Sequence, residues 1–131
     1  MGNRIKYFMV FIGLILGASA FSQGMSDASL YQMLIAEGIQ HPKVVLAQAK
    51  LETGNYTSLL CKNKHNLFGI KGKRGYRTFS TYTECIRYYK DHIQNRYDGH
   101  SDYYVFLKRI GYASDPKYVT KLKSIVKKLT L

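Results

Sequence analysis

The segment "HPKVVLAQAKLETG", residues 41–54, constrains the fold more than any other part of the chain. Pro42 suits the first turn of a helix, and Gly54 suits the position just after its end. Nearly every residue between them is apolar or small, and a helix that is apolar all round must be enclosed by other elements. The segment therefore predicts a central, buried helix. Glu52, in its last turn, does not fit that pattern.

Further helices are predicted on both sides of this segment from capping residues and apolar periodicity. They begin at Ser26 or Asp27, at Thr81 in the capping box "TYTE", at Ser101 or Asp102, and at Asp115 with Pro116 in the first turn. Between residues 55 and 80 the helical pattern stops, and Gly72 and Gly75 bracket the turn of a short, irregular β-hairpin. The prediction is a mainly helical α+β domain with a cleft between its helical body and one hairpin.

The first 20 residues have the order of a secretory signal peptide. Arg4 and Lys6 precede the apolar run "YFMVFIGLILG", and "ASA" at residues 18–20 supplies the small residues of a cleavage site. The alternative is a retained membrane anchor, but the apolar run is shorter than the ~20 residues of a membrane-spanning helix. We therefore expect one domain over residues 21–131, exported to the periplasm or cell exterior, with no stable membrane insertion after cleavage.

The chain is strongly basic, with 20 Lys and Arg against 8 Asp and Glu and a formal net charge of +12. Such a chain is attracted to polyanions. In an exported protein this favours the anionic polymers and peptide carboxylates of the cell envelope over nucleic acid. A basic protein with no specific anionic partner remains an alternative.

Cys61 and Cys85 are the two cysteines of the chain. Export permits one disulfide between them, while Cys85 also lies on the apolar face of a predicted helix. A disulfide and two buried free thiols are both open. The four histidines lack the spacing of metal ligands, so neither a metal nor a cofactor is expected.

Carboxylates are the remaining candidates for chemistry, and most of the eight have simple structural roles. Asp27, Asp102 and Asp115 are predicted N-caps, and Glu84 belongs to the capping box. Glu52 has no such role. Burial and the negative end of its helix both favour the protonated acid, whereas six basic residues between positions 53 and 83 oppose this. A protonated carboxyl group is what a departing glycosidic oxygen needs.

Three motifs, "LAQAKLETGNY", "NLFGIKG" and "GYASDPKYVTKL", occur in this order. Together they resemble the bacterial endo-β-N-acetylglucosaminidase domain of glycoside hydrolase family 73, which cuts peptidoglycan and has a lysozyme-like fold. The likeness runs from about Ser26 to Leu129. It implies a monomeric hydrolase that cleaves the β-1,4 bond after N-acetylglucosamine and has peptidoglycan glycan strands as its partner.

The resemblance also implies residue roles. Glu52 would be the general acid, and Tyr112 would lie beside it in the cleft and be needed for activity. The segment "NLFG" would form the floor that receives the sugar ring, and Asp115 would orient the loop of Tyr112. The expected substrate-binding residues are Gln48, Asn66, Leu67, Phe68, Gly69 and Asp115. For Tyr112 and Phe68, packing in the core is the structural alternative.

The sequence departs from the family in one respect. Many relatives have a second carboxylate on the hairpin, but here no Asp or Glu occurs between residues 53 and 83, and Glu84 is the nearest substitute. We therefore expect substrate assistance, with the 2-acetamido group attacking the anomeric carbon. Two alternatives stay open: a non-catalytic cationic peptidoglycan-binding module, and an N-acetylmuramidase or lytic transglycosylase on the same scaffold.

Overall fold

The computed structural model describes residues 24–131 of the 131-residue chain. The predicted signal peptide lies outside the described residues. Six α-helices and one two-stranded sheet follow in chain order. They are α1 (Asp27–Ala36), α2 (Pro42–Glu52), α3 (Leu59–Lys64), β1 (Lys71–Gly72), β2 (Gly75–Tyr76), α4 (Tyr82–His92), α5 (Tyr103–Arg109) and α6 (Tyr118–Lys128), with a 3₁₀ turn at Gln94–Arg96. The predicted mainly helical α+β class is confirmed.

Helix α2 occupies the centre, as its composition predicts. Its residues 44–49 are all buried, and the helix packs against α1 on one side and α6 on the other. Pro42 is its first residue, and the chain leaves it through Gly54, whose φ of +57° is easy for glycine. Because the helix is enclosed, the direction of its last turn is fixed by packing. The position of Glu52 is fixed with it.

Most helix starts lie where the capping residues predict. Ser26 forms a capping box with Ser29, Thr81 accepts the N–H of Glu84, and Asp102 caps α5. The start of α6 differs from the prediction, because the Asp115 carboxylate accepts the N–H of Lys117 in a preceding turn and the helix begins at Tyr118. Helix α3 was also not predicted. Only Cys61 is buried along its six residues, so it has no apolar periodicity to detect.

The predicted hairpin is present but very short. Lys71 pairs with Tyr76 and Gly72 with Gly75 in antiparallel register. Beyond this ladder, the N–H of Arg77 bonds to the carbonyl of Ile70 at 2.9 Å. This bond continues the pairing of the two arms by one step beyond the strands. No helix in the described part of the chain is long and apolar enough to cross a membrane.

Candidate active site

Glu52 is the last residue of α2 and is half-buried at the wall of a cleft of about 440 Å³. The cleft runs between the hairpin, α4 and the loop that precedes α6. Burial raises the pKa of the Glu52 carboxyl above its ordinary value, and a hydrogen bond from the hydroxyl of Tyr118 opposes that rise. The sequence indicated burial as a cause that raises the pKa but left the net direction open. The opposing group is a tyrosine rather than the basic residues that the sequence suggested.

Asn66 builds the turn that faces Glu52. Its fully buried amide nitrogen donates to the carbonyls of Ile70 at 2.8 Å and Arg77 at 3.0 Å. Its amide oxygen accepts the N–H of Phe68 at 3.3 Å and that of Ile70 at 3.0 Å. A carboxamide is needed because the position must both donate and accept. Asn66 therefore shapes the cleft floor from within and has no exposed surface for a sugar.

Gly69 is the point at which this turn comes closest to Glu52. A β-carbon at this position would lie 3.0 Å from Glu52 Oε1, and the residue has a φ of +64°. Both observations explain why glycine stands here. The preceding Phe68 is 3% exposed, and its ring packs against Tyr89 with a centroid separation of 4.6 Å. Phe68 thus combines a core ring with a place in the cleft lining.

Tyr112 reaches the same cleft from the loop before α6. Its ring stacks on that of Tyr118 at 5.8 Å, and its hydroxyl donates to the carbonyl of Phe68 at 3.4 Å, which is long for such a bond. Burial, followed by the charges of Tyr118 and Glu52, raises the pKa of Tyr112 well above its ordinary value. It is therefore a neutral hydroxyl donor. The fold brings Glu52, Tyr112 and the "NLFG" segment together.

The rest of the cleft lining is cationic or apolar. Lys71 of β1, His92 of α4 and Arg96 of the 3₁₀ turn line it, and Glu52 is the one acidic residue in the lining within residues 24–131. Lys71 and Arg96 are exposed. Sequence analysis did not select either residue, although the cationic hairpin was a signal for Lys71.

Four predicted site residues lie elsewhere. Gln48 and Leu67 are 0% exposed, so neither side chain is positioned to touch a bound glycan. Asp115 bonds to Lys117 N–H and to Lys121, which holds the start of α6 below the Tyr112 loop. Glu84 accepts the N–H of Ser80 as part of its cap and is not in the cleft lining. It therefore does not supply the second carboxylate.

Cys61 and Cys85 are buried free thiols in the structure rather than partners in a disulfide. Cys85 Sγ accepts the N–H of Leu67 at 3.4 Å, while Cys61 lies 3.9 Å from the hydroxyl of Tyr82. Among the described residues, no group of three or more His, Cys, Asp or Glu could hold a metal ion.

A helical body and a small hairpin that enclose a cleft around one half-buried carboxyl of raised pKa define a lysozyme-like glycoside hydrolase. The sequence profile of the mannosyl-glycoprotein endo-β-N-acetylglucosaminidase family matches residues 28–131. The chain belongs to this family of glycoside hydrolases, which confirms the sequence-based assignment and supports a peptidoglycan hydrolase.

One curated relative is an N-acetylmuramoyl-L-alanine amidase domain-containing protein from Staphylococcus aureus. It is 30% identical, and the match covers 66% of this chain and 20% of the relative. The chain thus spans about a fifth of that protein's length.

Proposed function

We propose that the protein is an exported peptidoglycan hydrolase that cleaves the β-1,4 bond after N-acetylglucosamine, with Glu52 as its general acid. The observation that carries this proposal is the position of Glu52: its carboxyl faces the cleft, and burial raises its pKa. A raised pKa favours the protonated carboxyl, and that is the form that can give its proton to the leaving oxygen. Residues 21–131 are the proposed exported domain, with residues 1–20 as its signal peptide.

The proposed reaction uses one carboxyl group. Glu52 gives its proton to the glycosidic oxygen as the bond from that oxygen to the anomeric carbon breaks. The carbonyl oxygen of the 2-acetamido group bonds to the anomeric carbon and forms an oxazolinium ion. Water then attacks that carbon, the bond between the carbon and the acetamido oxygen breaks, and a proton of the water returns to Glu52. Support for this route comes from the cleft lining, in which no second carboxylate is found within residues 24–131.

Tyr112 is the proposed second catalytic residue. Its hydroxyl donates to the Phe68 carbonyl at 3.4 Å, a weak bond that a better acceptor can replace. In the proposed complex it donates to the acetamide or stabilises the oxazolinium ion. The "NLFG" turn supports the sugar ring through its backbone and through Gly69, rather than through the buried side chains of Asn66 and Leu67.

Zymography on purified peptidoglycan with the wild type and Glu52→Gln tests the role of Glu52. Glu84→Gln is the matched control, since Glu84 is exposed and outside the cleft. We expect clearing by the wild type and the control and none by Glu52→Gln. Clearing retained by Glu52→Gln would remove Glu52 from the role. NMR of the first-formed anomer tests the route, because substrate assistance requires net retention and inversion would exclude it.

Mass spectrometry of the released fragments tests the bond. New N-acetylglucosamine reducing ends are expected, whereas muramic acid or anhydro-muramic ends would identify a muramidase or a lytic transglycosylase. A non-catalytic binding module is the second candidate, because the cleft lining holds one carboxylate rather than two. Binding to the wall without any new reducing ends would select it.

A further inference from the structure

Tyr118 begins α6 and is 7% exposed, so its hydroxyl is buried near the last turn of α2. As a hydrogen-bond donor it lowers the pKa of Glu52, which lies one helical turn after Gln48. The Tyr118 hydroxyl oxygen also accepts a hydrogen bond from Gln48 Nε2 at 3.1 Å. A tyrosine hydroxyl has one proton to donate. Whether Tyr118 gives that proton to Glu52 or to Gln48 depends on the orientation of the Gln48 amide.

The orientation is determined at the other end of a buried chain of hydrogen bonds, at Gln94. The backbone N–H of Gln40 donates to Gln94 Oε1 at 2.9 Å, and Gln94 Nε2 donates to the backbone carbonyl of Gln40 at 2.7 Å. A peptide N–H can only donate and a carbonyl can only accept, so the Gln94 amide cannot be reversed. The second proton of Nε2 goes to the hydroxyl oxygen of Tyr103 at 2.9 Å.

Starting from Gln94, each hydroxyl proton of the chain has one available acceptor. Tyr103 receives from Gln94, so its own proton goes to the hydroxyl oxygen of Tyr89 at 2.8 Å. Tyr89 then donates to Gln48, which must present its amide oxygen. The amide nitrogen of Gln48 therefore faces Tyr118, and the Tyr118 proton is left for Glu52.

The reverse orientation of the Gln48 amide would leave one buried hydroxyl proton without an acceptor. It would make Gln48 the donor to Tyr89, so Tyr89 would have to donate to Tyr103. The Tyr103 proton would then have no acceptor among its hydrogen-bond partners in residues 24–131. Tyr103 is 2% exposed, and a buried hydroxyl without an acceptor is costly.

We propose that Tyr118 is the positioning residue for the acid: the chain from Gln94 through Tyr103, Tyr89 and Gln48 obliges its hydroxyl to donate to Glu52, and this places the acidic proton on the carboxyl oxygen that Tyr118 does not bind. The inference rests on the proposed role of Glu52. An oxygen that already faces a donated proton is a poor site for a second one. The proton is therefore held on the remaining oxygen.

Other titratable groups near Glu52 come from every surrounding element. Tyr112 lies in the loop before α6, Lys71 on β1, His92 on α4 and Arg96 in the 3₁₀ turn; Lys50 lies on α2 itself. The causes acting on the pKa of Glu52 are nevertheless burial, which raises it, and the Tyr118 hydrogen bond, which lowers it. Removing the Tyr118 hydroxyl leaves the effect of burial unopposed and raises the pKa further.

The test compares Tyr118→Phe and Tyr89→Phe with Tyr104→Phe. The first removes the last donor. The second removes the hydroxyl whose proton obliges Gln48 to present its amide oxygen, so Gln48 can turn and take the Tyr118 proton. Tyr104 is the matched control, since it neighbours Tyr103 on α5, lies outside the chain, and contacts Lys123 at the surface. Activity of a general acid falls as pH rises through its pKa. The alkaline limb of the kcat profile is the pH range in which kcat falls as pH rises. We expect this limb to move to higher pH in the first two variants and to stay in place in the third.

Below that limb, Tyr118→Phe should lower kcat by about tenfold with KM unchanged, because the acid is no longer held in its reactive orientation. A double-mutant cycle adds a second criterion. Tyr89→Phe acts through Gln48 and Tyr118, so the double variant should show the shift of Tyr118→Phe alone. Additive shifts, or a limb that stays in place while thermal stability falls, would overturn the proposal.

A measurement independent of activity separates this proposal from the function. Titration of the ¹³C-labelled Glu52 carboxyl carbon by NMR should show the midpoint at higher pH in Tyr118→Phe and Tyr89→Phe, and unchanged in Tyr104→Phe. Shifted midpoints in a protein that cleaves no peptidoglycan would support the hydrogen-bond chain and refute the hydrolase. Unshifted midpoints in an active enzyme would refute the chain and leave the hydrolase intact.

Discussion

Replacing Gly69 with alanine tests whether the close approach of the "NLFG" turn to Glu52 matters for catalysis. Two effects are expected, and they can be separated. The φ of +64° puts alanine in the left-handed region, which costs about 1–2 kcal/mol. For a domain of about 100 residues this corresponds to a fall in Tm of roughly 4–8 °C per kcal/mol.

The second effect falls on the acid. The new β-carbon would lie 3.0 Å from Glu52 Oε1 and 3.9 Å from a ring carbon of Tyr76, so the carboxyl has to move by a few tenths of an ångström. An error of about 1 Å in the position of a reacting group can cost about 100-fold in rate. For this smaller displacement we expect kcat to fall about tenfold, with KM for peptidoglycan little changed.

Gly38→Ala is the matched control. Gly38 has a φ of +72° at the end of α1, and a β-carbon there would meet the Lys90 amino tip at 3.2 Å, a flexible group that can move away. Both variants should lose similar stability in thermal unfolding, while turnover of soluble peptidoglycan fragments should fall for Gly69→Ala alone. Wild-type kcat in a destabilised Gly69→Ala would refute the argument, because it would show that the acid tolerates displacement.

Three further predictions concern charge and hydrogen bonding. Burial raises the pKa of Glu52, so the folded state binds the Glu52 proton more tightly than the unfolded state. Proton binding therefore stabilises the fold. This contribution is complete below the ordinary pKa of 4.5 and is lost as pH rises through the pKa of the folded state. Glu52→Gln should thus be more stable than the wild type in thermal unfolding at pH 7, and this advantage should disappear near pH 3. A variant less stable than the wild type at pH 7 would contradict the predicted sign of the stability change. The double substitution Lys71→Gln/Arg96→Gln should raise KM for peptidoglycan about fivefold at low salt and leave kcat unchanged. The difference in KM should be lost near about 0.5 M salt. A salt-independent difference would mean that direct contact with the substrate, rather than the charge of the two side chains, is responsible. Asn66→Asp should destabilise the fold by about 3 kcal/mol in denaturant unfolding, because a carboxylate cannot donate to two carbonyls, whereas Asn63→Asp on the exposed face of α3 should have little effect.

The sequence was sufficient for elements whose information is local. Helix α2 was predictable because Pro42, an apolar run and Gly54 indicate the same bounds and the same burial. The net direction of the Glu52 pKa shift was not, because it depends on burial and on Tyr118. Helix α3 was missed because Leu59 is 71% exposed and only Cys61 is buried. A six-residue helix with one buried side chain leaves no periodic signal.

The site residues that sequence analysis missed depend on contacts between distant segments. Tyr118 was not selected from the sequence, but its hydroxyl bonds to Gln48, 70 positions away. Gln48 was expected to bind substrate, yet its side chain is fully buried and bonds to Tyr89 and Tyr118. Neither role is encoded in spacing along the chain, since both depend on how α2 and α6 pack.

The two sides of Glu52 are therefore governed by different physics. On the cleft side, Lys71 and Arg96 are exposed, so water and salt screen them, and they act on the approach of an anionic polymer more than on the acid itself. On the core side, the neutral hydroxyl of Tyr118 limits the rise of the Glu52 pKa as a hydrogen-bond donor, and in the proposed chain it sets the orientation of the Glu52 carboxyl. A buried neutral donor is insensitive to ionic strength, whereas the exposed cations are not. Changes of salt should consequently alter substrate affinity and leave the alkaline limb of the kcat profile in place, which is how the two contributions can be told apart in the wild-type enzyme.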